Sequence, residues 1–411
     1  MASFKFNKEY KRVSAIVAIL VTVGILQAIA PHGIYNPTKL NSRQLSKNKG
    51  KLSPSPFLDQ TLNKLVSDWR SSKVSVESAK QAIWDIIQSP LYKNHLPNKG
   101  IVFIKTHKTA SSTITSLLHS ISTSHGLTAA IATHKTTKEA VNNKQDKRRA
   151  QFLNLPTSNP DHPWGAPYDV WSNHIVFDEI LLDEAVPTSE GKFFSIVRDP
   201  GTRLRSACLF FGCCPASTPE DWASFVLNSQ KEYYEGPCSL NQSFKEINGN
   251  KASDDALLAM KQRVHQGNLL LLVTERIMES VLVLRDFYEL HPLDVTFLSQ
   301  KVRSNPTTAK SRDLIKAEGM MREWNEYDTA IHELADSMLT KKMEDMFPQE
   351  VNRIRAVEEM ETLNDLIYHV CSREHKKVVP KLNPWCREKE VDTHTWNKMH
   401  LGQFSNIYSH E

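Results

Sequence analysis

The apolar positions fall into one long run near the start and a series of short runs after it. Val13 to Ala30 (VSAIVAILVTVGILQAIA) carries no charged residue. Its length as a helix, at 1.5 Å per residue, is about 27 Å, close to the roughly 30 Å hydrocarbon core of a bilayer. Residues 31–60 then mix Pro31, Pro37, Pro54 and Pro56 with Ser, Asn and Lys, the pattern of a flexible stem. Leu62, Leu65 and Trp69, followed by Ile83, Ile86 and Ile87, predict a helical pair around 61–88. Beyond it come four strand-like runs, Ile101–Lys105, Val170–Phe177, Phe193–Val197 and Leu269–Val273. Helical patterns follow the first, third and fourth. This alternation predicts an α/β body with a largely parallel central sheet flanked by helices. The polar stretch His134–Arg149 has little to bury and reads as a solvated loop or exposed helix.

Charge sets the orientation of the first segment. Lys5, Lys8, Lys11 and Arg12 precede the apolar run and Lys39 is the first base after it, which favours an N-terminus left in the cytosol. The layout expected is a cytosolic tail over 1–12, a transmembrane signal anchor over 13–30, a stem over 31–60 and a lumenal body over 61–411. A cleaved signal peptide, for which Ala28-Ile29-Ala30 offers a cleavage pattern, and a buried core helix are the alternatives. The net charge of +5 is confined to this end. Residues 1–51 hold nine Lys/Arg against the single acid Glu9, leaving 42 bases against 45 acids in the rest. The body is not basic, so no nucleic-acid partner is expected, and any anion must be held by a few placed cations and backbone N–H groups. The six cysteines suit an oxidising lumen. Proximity in sequence suggests Cys371 with Cys386, and Cys238 with Cys213 or Cys214, with free buried thiols as the alternative. Asn241-Gln242-Ser243 is the usable glycosylation sequon, because proline occupies the forbidden position in Asn305-Pro306-Thr307.

The segment richest in chemistry is IVFIKTHKTASSTITSLLHSI, residues 101–121. An apolar strand runs into a polar turn, and Ile114, Leu117, Leu118 and Ile121 then form the stripe of an amphipathic helix. The turn offers Lys105, Lys108, Thr109, Ser111, Ser112 and Thr113 at a helix N-terminus, where free N–H groups favour an anion such as phosphate. The loop has no glycine, which sets it apart from the Walker A pattern of ATPases and GTPases; Ala110-Ser111-Ser112 supply the small residues instead. The bland alternative is that Ser and Thr merely cap a helix after a buried strand.

Lys105-Thr106-His107-Lys108-Thr109-Ala110-Ser111-Ser112-Thr113 resembles the 5′-phosphosulfate loop of Golgi sulfotransferases, most of all the galactose 3-O-sulfotransferases. Phe193 to Ala207 (FFSIVRDPGTRLRSA) is similar to the family's 3′-phosphate element, with Arg198 and Ser206 at the matching spacing of eight. The residues support that likeness: Asp199 can cap a helix, Pro200 suits its first turn, and an arginine fork at a strand end is shaped for phosphate. Tyr168–Phe177 is similar to the family's Asn-His strand. Val273–Leu284 is similar to its Thr-Glu…Glu-Ser-Leu helix, and Arg322–Asp328 to a Trp-Asn…Asp segment. The likeness covers roughly 98–345. Cys213-Cys214, and the lack of an aromatic pair after Phe211, depart from it on the acceptor side.

The resemblance implies a P-loop-like sulfotransferase fold behind the anchor, in a single-pass type II protein of the Golgi membrane, with a homodimer allowed for. It implies a donor, 3′-phosphoadenosine 5′-phosphosulfate, and an acceptor that is a galactose-terminated glycolipid or glycan. Lys105, Thr106, Lys108, Thr109, Ala110, Ser111, Ser112 and Thr113 would hold the 5′ end of the donor, and Arg198 and Ser206 the 3′-phosphate. Transfer needs alignment, a base, and cations at the leaving phosphate, and a metal is not required if Lys108 supplies the charge. Histidine suits the base because it titrates near lumenal pH. His107 and His174 are the two candidates, left unordered. For Glu275 and Glu279 a structural ion pair is expected, and Arg303 is a further candidate for the nucleotide. Other classes remain as alternatives: a different carbohydrate O-sulfotransferase, a lumenal nucleotide kinase or hydrolase, or a non-catalytic lumenal protein.

Overall fold

Four short strands, all parallel, carry the fold in the order β2-β1-β3-β4: β1 Ile101–Ile104, β2 Val170–Trp171, β3 Phe193–Val197 and β4 Leu269–Val273. The computed structural model describes residues 57–97, 100–130, 168–172, 174, 177–229, 238–249, 252–298, 311–372, 385, 386 and 389. The predicted tail and anchor, nearly all of the stem, His134–Arg149 and Arg303 lie outside them. Among the described residues no helix is long and apolar enough to cross a membrane.

Every residue of the four strands is buried, the signature of a parallel sheet covered on both faces. Two helices precede it, α1 Gln60–Arg70 and α2 Val76–Gln88, each opened by a side-chain cap, Asp59 on Leu62 N–H and Ser75 on Ser78 N–H. This is the helical pair the periodicity predicts. A single turn, α3 Pro90–Lys93, leads into β1. Helix α4, Ser111–His125, follows β1; α5, Glu179–Ala185, lies between β2 and β3; and α6, Pro200–Phe211, follows β3. Then come α7 Pro219–Asn228, α8 Gln242–Ile247 and α9 Asp254–His265 ahead of β4. After β4 run α10 Ile277–Tyr288, α11 Arg312–Trp324, α12 Glu326–Met346 and α13 Glu350–Ser372.

Among the described residues, the strand predicted over Val170–Phe177 forms a ladder only at Val170 and Trp171, opposite Ile101 and Val102. β1 itself ends at Ile104 because the chain turns into the polar loop, so a longer β2 has little backbone to pair with. Where the register would continue, the His174 ring reaches the Lys105 carbonyl, Nδ1 at 3.2 Å.

The order of connections matters for function. From β1 the chain moves outward to β2, then returns across β1 to β3 and continues the other way to β4. The carboxyl ends of β1 and β3 therefore border a topological switch point, where ligands bind in open α/β sheets. The loop 105–110 and Arg198 leave the sheet there.

A second, smaller core joins α6, α7 and α11 through Leu204, Ala207, Trp222, Val226, Leu314 and Met321. Cys208–Cys214 and Cys213–Cys238 bond at its edge and Cys371–Cys386 ties the end of α13, so the pairing inferred from proximity holds. The four sulfurs of the first two bridges lie within 4.8 Å of one another, a grouping with metal-ligating potential only as thiolates. The sequon asparagine is built into the fold. Asn241 Oδ1 accepts from the N–H groups of Tyr327 (3.0 Å) and Asp328 (3.2 Å), and Ser243 is buried.

Candidate active site

Helix α4 begins without a side-chain cap. Its cap position is Ala110, in the left-handed region at φ 60°, so Ser111, Ser112 and Thr113 lie inside the first turn and none of them caps it. The capping alternative thus fails, and a fifteen-residue helix presents uncapped N–H groups at the switch point. Lys108 is also left-handed, at φ 63°. Two non-glycine residues in that region cost about 1–2 kcal/mol each. The surroundings hold them there. Thr106 donates to the Ile196 carbonyl at 2.7 Å, and its hydroxyl lies 2.7 Å from that of Thr109. Thr274 Oγ1 stands 2.9 Å from the carbonyls of both Thr109 and Val197, joining the loop to the end of β3.

The predicted donor residues therefore divide by role. Thr106 and Thr109 turn inward, fully buried, and shape the loop. Ser112 and Thr113 are half-buried in the first turn, with Ser111 beneath them. The Lys108 ammonium lies over the Phe210 ring at 3.6 Å, at the far end of α6. Lys105 is buried, and its charge lowers the pKa of His174.

Arg198 leaves the end of β3 beside the loop, its Nη1 donating to the Lys108 carbonyl at 3.3 Å and its Nε to Thr202 at 3.1 Å. Thr202 and Ser206 are four apart on α6, so they share the face that Arg198 overlies. Asp199 caps α6 on Thr202 N–H at 2.9 Å, with Pro200 in the first turn, as the sequence predicts. Glu275 accepts from Asp199 N–H at 3.1 Å, lies 3.9 Å from Arg198 and pairs with His332 at 3.3 Å. Glu279 pairs with Arg276. Both glutamates form the structural ion pairs expected of them.

The two histidines stack, ring centroids 4.3 Å apart and planes 17° apart. They are not equivalent. His174 points Nδ1 at a carbonyl, and burial, then the charges of Lys105 and His107, hold its pKa well below the ordinary histidine value, which favours the neutral ring. His107 is held by Glu246, a residue the sequence did not single out. One carboxylate oxygen accepts from His107 N–H at 3.0 Å and the other from Nδ1. A carboxylate on Nδ1 fixes the proton there and leaves Nε2 as an acceptor, the orientation a general base needs.

Glu246 sits on α8, and α8 is fastened by the late Trp-Asn…Asp segment. Asn325 Oδ1 accepts from Asn241 N–H at 2.8 Å, and Asp328 accepts from Phe244 N–H at 2.7 Å and faces Arg203 at 3.4 Å. Gln242 adds a 2.9 Å bond to the carboxylate. Sequence could have flagged Glu246 only as an acid three residues beyond a sequon; its partner is 139 residues away.

The galactose-3-O-sulfotransferase family matches residues 68–398 of the chain. Over 292 residues the chain is 24% identical to galactosylceramide sulfotransferase of Mus musculus, covering 67% of this chain and 64% of that protein. It is 26% identical over 288 residues to galactose-3-O-sulfotransferase 2 of Mus musculus, covering 64% and 69%. With galactose-3-O-sulfotransferase 4 of Bos taurus it shares 30% over 156 residues, 37% of this chain and 31% of that protein. It thus spans under two thirds of the length of the first of these relatives. The matched span takes in the loop, Arg198, the paired histidines and the Asn325–Asp328 brace alike, and on that ground the chain belongs to the galactose-3-O-sulfotransferase family.

Proposed function

We propose that this protein transfers a sulfuryl group from 3′-phosphoadenosine 5′-phosphosulfate to the 3-hydroxyl of a galactose in a glycolipid or glycan. The observation that carries the proposal is the pairing, in one loop, of an uncapped helix N-terminus with a histidine oriented by a carboxylate. When bound, the donor supplies the sulfuryl group. The first-turn N–H groups of α4 and the Lys108 ammonium suit its 5′-phosphate, where negative charge grows as the group departs. Arg198 and Ser206 suit the 3′-phosphate, with Glu275 and Thr202 holding the guanidinium in place. His107 Nε2 takes the proton of the acceptor hydroxyl while its oxygen bonds to sulfur. Neutral His174 positions the His107 ring and leaves it as the base.

The predicted anchor and the three disulfides support residence in an oxidising lumen, that of the Golgi, with the catalytic body on that side of the membrane. Full-length protein in detergent, given sulfur-labelled donor and a panel of β-galactosides, should place label on the galactose 3-hydroxyl. Lys108→Ala should abolish turnover without unfolding the chain, and Arg198→Ala should chiefly raise the donor KM. Wild-type turnover by Lys108→Ala, or an unchanged donor KM in Arg198→Ala, would overturn the corresponding assignment.

A further inference from the structure

Two large aromatic rings stand in the open beside the reacting groups. Phe210 and Phe211 close α6 and are 54% and 41% exposed, where side chains of this size are ordinarily buried. Their rings are perpendicular, centroids 4.9 Å apart. Phe211 lies 6.0 Å from the His107 ring, and Phe210 carries the Lys108 ammonium on its face at 3.6 Å. The corner is fixed from behind. Gly212 ends the helix in the left-handed region at φ 65°, and Cys208, Cys213 and Cys214 on either side are tied into the two bridges. An exposed ring held next to a base is placed to meet a ligand.

Resting on the function proposed above, we propose that Phe211 is the platform for the acceptor sugar: the apolar face of a galactopyranose stacks on its ring and presents a hydroxyl to His107 Nε2. Phe210 backs that platform edge-on and holds the Lys108 ammonium at the donor side. Galactose fits such a surface because its axial 4-hydroxyl leaves the C3, C4 and C5 hydrogens as one contiguous apolar patch, bordered by the 3-hydroxyl. The equatorial 4-hydroxyl of glucose breaks that patch. The platform therefore also sets the choice between the two sugars, by differential binding at one contact.

The test uses the full-length enzyme in detergent, with octyl β-galactoside and octyl β-glucoside as acceptors. For Phe211→Ala the acceptor KM should rise about three- to tenfold, the range expected for one lost aromatic contact. The galactoside-to-glucoside ratio of kcat/KM should fall with it, while the affinity for 3′-phosphoadenosine 5′-phosphate stays as in wild type. Phe211→Tyr, which keeps the ring, should restore the acceptor KM. Phe210→Ala should act instead on the donor side, changing donor KM and kcat. An unchanged acceptor KM and sugar ratio in Phe211→Ala would overturn the platform and leave the sulfotransferase function standing. Equal loss of nucleotide and acceptor affinity in Phe211→Ala and Phe211→Tyr would make Phe211 a packing residue and overturn it too. Absence of transfer to any galactoside by the wild-type enzyme would remove the function, and the platform with it.

Discussion

At the scale of residues, the difference between His107 and His174 lies in what faces Nδ1. A carbonyl can accept from that nitrogen but brings no charge; the Glu246 carboxylate also stabilises the imidazolium that a base becomes after taking a proton. Replacing Glu246 by Gln would turn an amide N–H toward Nδ1 and favour the wrong tautomer. We expect kcat to fall by about a hundredfold or more, with the affinity for 3′-phosphoadenosine 5′-phosphate unchanged; a kcat within a few-fold of wild type would return the two histidines to equal standing. His332 provides a second test. Burial opposes its charge, but the hydrogen bond and negative charge of Glu275 outweigh burial and hold its pKa above the ordinary value. Glu275, despite burial, is correspondingly depressed. A raised histidine pKa gives stability that is full below the unfolded value near 6.5 and is lost as pH rises through the folded one. His332→Gln should therefore lower the Tm at pH 6 and much less at pH 9, and an equal loss at both would show that charge has no part in it.

At the scale of elements, the site depends on how closely α6 can lie against α11. A Cβ placed on Gly201 would sit 2.6 Å from the Glu318 carbonyl oxygen and 2.8 Å from its Cα, both backbone atoms that cannot step aside. Gly201→Ala should destabilise the protein by about 1–3 kcal/mol, measured by denaturant unfolding, and should raise the donor KM by shifting Arg198. The same elements show where sequence is informative. β1 and β4 were readable because each is an unbroken apolar run closed by polar residues, β3 because Ser195 alone interrupts its run, and Asp199-Pro200 marks the start of α6. The loop was readable because its cations, hydroxyls and helix are contiguous. Among the described residues β2 pairs only at Val170 and Trp171; periodicity gives apolar faces but not the length of the partner strand. Glu246 was invisible because α8 is a six-residue helix with no repeating stripe, and its place beside His107 comes from Asn325 and Asp328 far along the chain.

At the scale of the whole molecule, the base and the aromatic corner depend on the same pair of covalent links. Cys208–Cys214 turns the chain sharply after Phe211, and Cys213–Cys238 ties that turn to the segment entering α8, where Glu246 resides. The sheet and the larger core contain neither bridge. Cys213→Ser with Cys238→Ser should thus leave far-ultraviolet circular dichroism and the first-turn anion site nearly intact while activity falls at least tenfold; full activity in that variant would show the bridge to be incidental. Maturation follows from this arrangement. On the function proposed above, a copy made in a reducing environment would fold its sheet and still lack a competent centre, so oxidation of the two bridges would be the step that commissions the site.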